Sequence, residues 1–428
     1  MSKDRLVIVD GIRTPFSKMG TTLSSMGADD LGRLAVSSLL AKTNIDPGII
    51  DEVIMGCVGQ PVDVANVSRV IALRAGIPDH VPAITVHRNC ASGFEAVTVA
   101  HQKMCAGKGD IFIVGGAESM SQYPLLYNAN AVKKYAKLAR ARTLLQKLSV
   151  ASSFRPSDFA PRIALLLGLK DPYCGMGMGQ IAELLARESD ISREEQDRFA
   201  LESHQKTIAA REKLEDEISP VHVPPKFNTT MADDNGPREG QSMEALAKLR
   251  PAFEKPTGTV TAGNASQVTD GAVALLVMSE SKAEELGMTP LGILTGYSYA
   301  ACDPARMGLG PVYAISRAEK EVGLGVADAD LIEINEAFAA QVLACTQRAT
   351  DAEWSRQELA SGTAIGEINP DILNVNGGAI AIGHPVSASG SRLVLTGLKE
   401  LHRRKAKRAL LTACVGGGQG AALWVERP

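Results

Sequence analysis

The stretch Ile84-Thr85-Val86-His87-Arg88-Asn89-Cys90-Ala91-Ser92-Gly93 ends a β-branched run in a cysteine, and small residues and a helix-like segment at 94–104 follow. The pattern places Cys90 at a strand-to-helix turn, facing a helix N-terminus whose partial positive charge favours thiolate over thiol. A cysteine nucleophile is built this way, although a lone free cysteine is most often buried and inert. Three clusters toward the C-terminus supply what such a nucleophile needs. Asn335-Glu336-Ala337-Phe338-Ala339 follows a strand; Gly377-Gly378-Ala379-Ile380-Ala381-Ile382-Gly383-His384-Pro385 is a glycine-rich approach to a histidine; Cys414-Val415-Gly416-Gly417-Gly418-Gln419-Gly420 sets a second cysteine before four glycines. His384, held in a turn between Gly and Pro, could take the proton of Cys90. Cys414 could act as a second acid/base, because a thiol pKa of about 8.5 is readily tuned. Amides of the glycine run could hold an oxyanion, and Asn335 could position a water or donate directly. A glycine run also fits mere close packing. A Walker-type phosphate loop is excluded, since no GxxxxGK[ST] is present, and the spacing fails the dinucleotide fingerprint.

The elements around these residues alternate. Residues 5–9 read as a buried strand, 29–40 as an amphipathic helix capped by Asp29 or Asp30, 53–58 as a strand, 66–75 as a helix, and 111–114 as a strand ending in Gly115-Gly116. Strands alternating with helices imply a parallel or mixed sheet covered on both faces. The theme returns after residue 271: an apolar stretch at 271–278, a helix at 311–322 leading into 328–334, which matches 46–54, and strands at 372–375 and 407–412. Ser387-Ala388-Ser389-Gly390 opens a helix as Cys90-Ala91-Ser92-Gly93 does. The two ends of the chain therefore read as two copies of one α/β unit, packed with a site between them.

Between the copies, residues 119–250 read as an insertion. No acidic residue occurs between Glu118 and Asp158, while Lys133, Lys134, Lys137, Arg140, Arg142, Lys147 and Arg155 all do. Tyr135, Leu138, Leu145 and Leu148 can share one helix face, with Lys133, Lys137, Arg140 and Lys147 mostly on another. A basic amphipathic helix either lies on an anionic membrane, docks a partner, or is a solvated face. Ser192 with Glu195 opens a capping box for a helix running to Lys213.

The totals bound the class. A chain of 428 residues, 45% hydrophobic and 22% charged, has an ordinary globular composition with material for two or three domains. A net charge of -3 gives no global reason to bind nucleic acid. Seven cysteines without CxxC spacing read as reduced thiols, with no zinc or other metal site. The N-terminus enters a strand directly and no apolar run approaches about 18 residues, so the expected location is cytoplasmic, with at most peripheral membrane contact through residues 131–170.

Taken together, Asn89-Cys90-Ala91-Ser92-Gly93, Asn335-Glu336-Ala337-Phe338-Ala339, Gly383-His384-Pro385 and Cys414-Val415-Gly416-Gly417-Gly418-Gln419-Gly420 resemble the thiolases, in family order and over the whole chain. Gly11-Ile12-Arg13-Thr14-Pro15-Phe16 and Lys248-Leu249-Arg250-Pro251-Ala252-Phe253 add to the resemblance. It implies an α/β duplicated thiolase fold: two βαβαβαββ halves in five layers (α-β-α-β-α) with an inserted loop domain. The halves fall at 1–120 plus 251–280 and at 281–428, with 121–250 as the CoA-binding insertion. The implied activity is an acyltransferase's: thiolytic cleavage of 3-oxoacyl-CoA to acetyl-CoA and a shortened acyl-CoA, the last step of β-oxidation, with coenzyme A as co-substrate and no tightly bound cofactor.

Site roles follow from the resemblance in the same way. Cys90 attacks the 3-keto carbon, and His384 activates Cys90 and later the CoA thiol. Cys414 protonates the departing carbanion; Asn335, through a water, and His384 stabilise the enolate oxygen. The amides of Cys90 and Gly416 hold the tetrahedral oxyanion. Ser266 and Phe253 line the pantetheine channel, Arg238 meets the nucleotide end of CoA, and Met178 and Phe338 complete the substrate contacts. Many short-chain acetoacetyl-CoA thiolases carry histidine where this chain has Gly177, which implies a different acyl pocket. The basic loop and the insertion at 345–369 resemble the thiolase (beta) subunit of the fatty-acid-oxidation trifunctional complex, whereas Asn335 leans away from that group, where histidine is frequent. The implied partners are acyl-CoA and CoA, a second copy or more (homodimer or homotetramer), and a hydratase/3-hydroxyacyl-CoA dehydrogenase subunit. The alternatives are a biosynthetic acetyl-CoA C-acetyltransferase, a non-catalytic lipid-carrier relative, and a ketosynthase-like condensing enzyme. The lipid carriers lose members of the Cys/His/Cys set, and the ketosynthases lack a thiol matching Cys414.

Overall fold

A computed structural model of the chain describes residues 4–428. Two compact units partition it: one holds the residues up to Gln122 together with Asp171–Pro428, the other Tyr123–Lys170.

In the larger unit the first half runs β1 (Leu6–Arg13), α1 (Ala28–Thr43), β2 (Glu52–Gly56), α2 (Val67–Arg74), β3 (Ala83–Val86), α3 (Ser92–Cys105), β4 (Ile111–Ser119) and, after a long excursion, β5 (Thr269–Ser279). The excursion carries α4 (Ala129–Arg140), α5 (Leu144–Ala151), α6 (Met178–Glu188) and α7 (Arg193–Ala209). The second half repeats the order with β6 (Gly292–Ala301), α8 (Gly310–Val322), β7 (Leu331–Ile334), α9 (Ala339–Thr350), α10 (Ser389–Arg404), β8 (Arg408–Val415) and β9 (Gln419–Glu426). The strands join in a 10-stranded sheet whose main path is β7-β8-β9-β6-β1-β5-β4-β2-β3. The halves meet where β1 pairs antiparallel with β6, through Val7↔Ile293 and Ile8↔Gly292.

The strand expected at 372–375 is reduced to one parallel bridge, Ile332↔Leu373. Asn374 takes positive φ, and its side chain accepts from Ile334 N (2.8 Å) and donates to Ile334 O (2.9 Å). An amide side chain thus replaces the backbone rung that a full strand would have made.

Period-2 alternation builds the layers. On β5, Val273, Leu275 and Val277 face one core, and Ala272, Ala274, Leu276 and Met278 face another. On β8, Ala409, Leu411, Ala413 and Val415 face the first core, while Leu410 and Cys414 face a third. The shared core holds α3 and α10; the outer cores hold α1 and α2 on one side and α8 and α9 on the other. The result is α-β-α-β-α.

The two central helices cross at their first turns. A Cβ on Gly93 would lie 2.6 Å from Ser391 N, and one on Gly390 2.6 Å from Phe94 N. Only glycine allows that approach, and overpacking there would cost about 1–3 kcal/mol. The matching Ala-Ser-Gly triplets seen in the sequence are therefore a reciprocal backbone contact.

Several local expectations differ. Helix α1 is capped by Gly27 without a side-chain bond, because Asp29 and Asp30 turn to Arg74 instead. The helix opened by Ser192 stops at Ala209, and a separate turn follows at Arg211–Glu215. The apolar face expected across 135–148 is divided between α4 and α5, where Ala141 takes an extended conformation (ψ 120°).

The unit Tyr123–Lys170 has little interior. Ala131, Asp158 and Leu165 are its buried residues, and Lys134 pairs with Asp158 at 2.6 Å. Tyr127, Tyr135, Phe154 and Phe159 stack in series with centroids 5.0–5.6 Å apart. Leu125, Val132, Leu144, Leu145, Leu148 and Leu166 are exposed. Among the described residues, no helix is long and apolar enough to cross a membrane.

Candidate active site

Cys90 stands between β3 and α3 in a tight turn. Ala91 N bonds Arg88 O at 2.9 Å and Ser92 N bonds Asn89 O at 3.0 Å. The Ser92 hydroxyl fixes that turn, accepting from Arg88 N (2.9 Å) and donating to Asn89 O (2.7 Å). The backbone amides of Gly416 and Cys90 favour the thiolate form of Cys90. Burial nevertheless dominates and pushes the thiol up to about 11. The expectation that the helix N-terminus favours thiolate is thus corrected: in the resting site Cys90 is a thiol, and its activation needs a base.

His384 lies in the turn before α10, in the second half. Gly383 reaches φ 111°, and a Cβ there would lie 2.4 Å from Thr269 Oγ1, so the approach to the histidine requires glycine. His384 N donates to Thr269 Oγ1 and to Gln267 O, each at 3.2 Å. His384 Nδ1 is 2.6 Å from Ser389 Oγ, which donates on to Pro385 O at 3.3 Å. On the other side Asn335 Nδ2 lies 3.4 Å from Nε2. An amide N–H at Nε2 and a Ser389 hydroxyl that donates to Pro385 O fit a ring proton on Nδ1 and a lone pair on Nε2. Burial, and then the charge of Arg392, lower His384 to about 4. It is a neutral imidazole whose free base nitrogen is Nε2.

Asn335 follows β7, and its N–H bonds Thr412 O at 2.9 Å, which sets it beside the strand that carries Cys414. Its Oδ1 is buried with no hydrogen-bond partner among the described residues. Cys414 is fully buried; burial first, and then the neighbouring Cys90, hold its thiol well above the usual range. The glycine run after it is the β8–β9 hairpin turn, closed by Val415↔Gln419. Its glycines divide the work. Gly416 offers its N–H to Cys90, whereas Gly418 and Gly420 exist for packing: a Cβ would lie 2.3 Å from Cys302 O and 1.9 Å from Gly310 O respectively. Gly377 and Gly378 likewise make room for Thr207 and Glu336, not for a ligand.

The residues expected to bind substrate form a second group. Phe253 packs over Gly179, where a Cβ would lie 2.2 Å from its ring, and meets Phe338 edge-on at 6.0 Å. Ser266 N bonds Ala337 O at 2.9 Å. A Cβ on Gly416 would lie 3.7 Å from Met178 Sδ, which places Met178 beside the hairpin turn after Cys414. Arg238 is separate and exposed. Its backbone N donates to His204 Nδ1 at 3.3 Å, and its charge adds to the burial that lowers His204 to about 4.

Sequence reasoning missed Ser389, Thr269 and Asn89. Ser389 lies five residues beyond His384, a spacing with no regular signature, and reaches the ring only because Pro385 turns the chain. Among the described residues no three His, Cys, Asp or Glu side chains gather into a metal-holding group. All seven cysteines are free thiols.

Comparison with known proteins agrees with this geometry. The thiolase N-terminal domain family matches residues 6–281 and the thiolase C-terminal domain family residues 288–427. The chain is 42% identical to a 3-ketoacyl-CoA thiolase of Serratia proteamaculans over 99% of its length and 97% of the relative's. Among solved structures, the Bacillus anthracis acetyl-CoA acetyltransferase superposes with a TM-score of 0.86 at 34% identity, covering 99% of both chains. Human mitochondrial 3-ketoacyl-CoA thiolase in complex with CoA gives 0.85 at 37%, covering 99% of this chain and 98% of that one. Fold and relatives together define an acyltransferase. The chain belongs to the thiolase family.

Proposed function

We propose that this enzyme is a degradative 3-ketoacyl-CoA thiolase that cleaves 3-oxoacyl-CoA with CoA by a ping-pong route through an acyl-Cys90 intermediate. One observation carries the reading. A half-buried thiol, Cys90, has the Gly416 amide favouring its thiolate and a second high-pKa thiol, Cys414, as its neighbour, and the glycine-flanked His384 of the second half is a neutral imidazole. Relatives named 3-ketoacyl-CoA thiolase at 40–42% identity support the degradative direction.

In the first half-reaction His384 Nε2 takes the Cys90 proton and Sγ bonds to the 3-keto carbon. The Cys90 and Gly416 amides hold the new oxyanion. As it collapses, the bond between C2 and C3 breaks. Cys414 gives its proton to C2, and Asn335, through a water on its unpartnered Oδ1, stabilises the enolate oxygen together with His384. Acetyl-CoA leaves and Cys90 holds the shortened acyl group. The imidazolium proton then returns to the Cys414 thiolate. In the second half His384 takes the CoA thiol proton, CoA attacks the thioester, and the proton passes to Cys90 as it leaves. We assign Met178, Phe253, Ser266 and Phe338 to the pantetheine and acyl path and Arg238 to the nucleotide end, with 121–250 as the CoA-binding insertion.

A thiolysis assay across acyl lengths from four to sixteen carbons tests the reading. Cleavage of medium and long 3-oxoacyl-CoA is the expected result, and activity confined to acetoacetyl-CoA would return the enzyme to the biosynthetic alternative.

Two features support assembly. Strand β3 is a sheet edge whose residues are half-buried, with Ile84 exposed, as a strand meant to pair with a second copy would be. In the unit Tyr123–Lys170, exposed leucines accompany exposed Lys133, Lys137, Arg140 and Lys147. That composition favours an anionic lipid surface, with a hydratase/dehydrogenase subunit as the other candidate. Replacing those four cations with Gln is expected to weaken flotation with anionic liposomes at unchanged thiolysis; unchanged flotation would leave only the protein partner or a solvated face.

A further inference from the structure

The residue directly before the nucleophile has a role that its chemistry does not advertise. Asn89 sits at φ 43°, a left-handed conformation that asparagine tolerates better than other non-glycine residues. Its side chain leaves its own half of the fold: Nδ2 donates to the Gly416 carbonyl at 2.8 Å, with Met178 Sδ beside the same glycine. Its neighbour Arg88 reaches the same hairpin turn. The guanidinium is held by Glu95 (2.5 and 3.2 Å) and lies 4.1 Å over the Tyr299 ring, and Nη1 donates to Gln419 Oε1 at 3.3 Å. The two residues that precede Cys90 thus clasp both ends of the Gly416–Gln419 turn, whose first N–H points at the reacting sulfur.

We infer that Asn89 is a positioning residue that, by anchoring the carbonyl side of Gly416, fixes the backbone torsions of that glycine and so keeps its N–H toward Cys90 and the developing oxyanion. This rests on the thiolase reading above. The Gly416 carbonyl belongs to the peptide that runs on to Gly417, so the Asn89 bond fixes the far side of Gly416 while the end of the β8–β9 ladder at Val415↔Gln419 fixes the near side. The glycine between them, and with it the direction of its N–H, is held from both sides, and the hold crosses from one half of the duplicated fold to the other. The left-handed backbone at Asn89 is what aims the amide across that gap. Asn89 is also the nearest group to the open side of the glycine: a Cβ built on Gly416 would lie 3.5 Å from Asn89 Nδ2.

Two variants separate the side chain's bond from the backbone conformation. Asn89→Gly keeps positive φ available and removes the amide. Asn89→Asp keeps the shape and sets an acceptor against the Gly416 carbonyl. Both are expected to fold, with melting temperatures close to the parent. Asn89→Gly is expected to lower kcat about ten- to a hundredfold with KM nearly unchanged, as misplacing one oxyanion donor does. Asn89→Asp is expected to lose more. Independently of substrate, iodoacetamide alkylation of Cys90 at fixed pH is expected to slow in both variants, because the thiolate loses its Gly416 donor. Parent-like kcat and parent-like alkylation in both would overturn the inference and leave Asn89 a conformational residue only. An unmodified enzyme that fails to cleave 3-oxoacyl-CoA would instead remove the thiolase reading, while the alkylation result still decides the role of Asn89.

Discussion

Cys90→Ala leaves a folded protein that no longer transfers acyl groups. The methyl side chain fits the turn that Ser92 and the Arg88–Asn89 backbone already fix, so the fold is preserved. What disappears is the sulfur that both amides face. Incubation with acetyl-CoA followed by intact-mass measurement is expected to show one added acetyl group on the parent and none on the variant; an acetylated variant would move the nucleophile elsewhere. The parent carries a second signature. Because burial holds the Cys90 thiol at about 11 and His384 at about 4, neither group changes charge near neutrality in the free enzyme. Alkylation of Cys90 is therefore expected to be slow at pH 7 and to accelerate steadily toward pH 11. A thiolate–imidazolium pair would instead give a rate already at its plateau near pH 7.

Cys414→Ala is the second large effect, and it differs in kind. This thiol is fully buried and held protonated by its surroundings, which suits a group that must give a proton to a carbanion. Without it the cleavage of the bond between C2 and C3 lacks its acid. General acid–base groups contribute about 10²–10⁴-fold, and steady-state thiolysis is expected to fall by that factor. Acylation of Cys90 by acetyl-CoA needs only His384 and the two amides, so burst labelling is expected to survive in part. Loss of labelling and turnover together would make Cys414 a residue of the acylation step. Full turnover would remove it from the mechanism.

The sequence and the structure agree where chemistry is local. The β-branched run before Cys90, the glycines around His384 and the alternating pattern of β5 and β8 all carry their meaning within a few residues. The triplets Ala91-Ser92-Gly93 and Ala388-Ser389-Gly390 revealed a duplication because each opens a central helix whose first turn must admit the other's backbone. Disagreement concentrates where a distant side chain intervenes. Residues 372–375 have strand character, but Asn374 replaces the rung with its own amide. Asp29 and Asp30 look like helix caps, but Arg74 takes them.

The same division holds at the site. Residue types and order alone nominated the reactive set, because only a few side chains can act as nucleophile, base and acid, and because glycine marks positions where a turn or close approach demands it. Protonation and orientation were decided by the tertiary structure. The helix N-terminus argues for a Cys90 thiolate, yet desolvation by the assembled layers outweighs the two amides that favour it. Asn335 and Ser389 select the His384 tautomer from opposite sides of the ring. Asn89 reaches Gly416 across more than three hundred positions of sequence. Those are sums over neighbours contributed by both halves, and a linear chain states its neighbours only after it has folded.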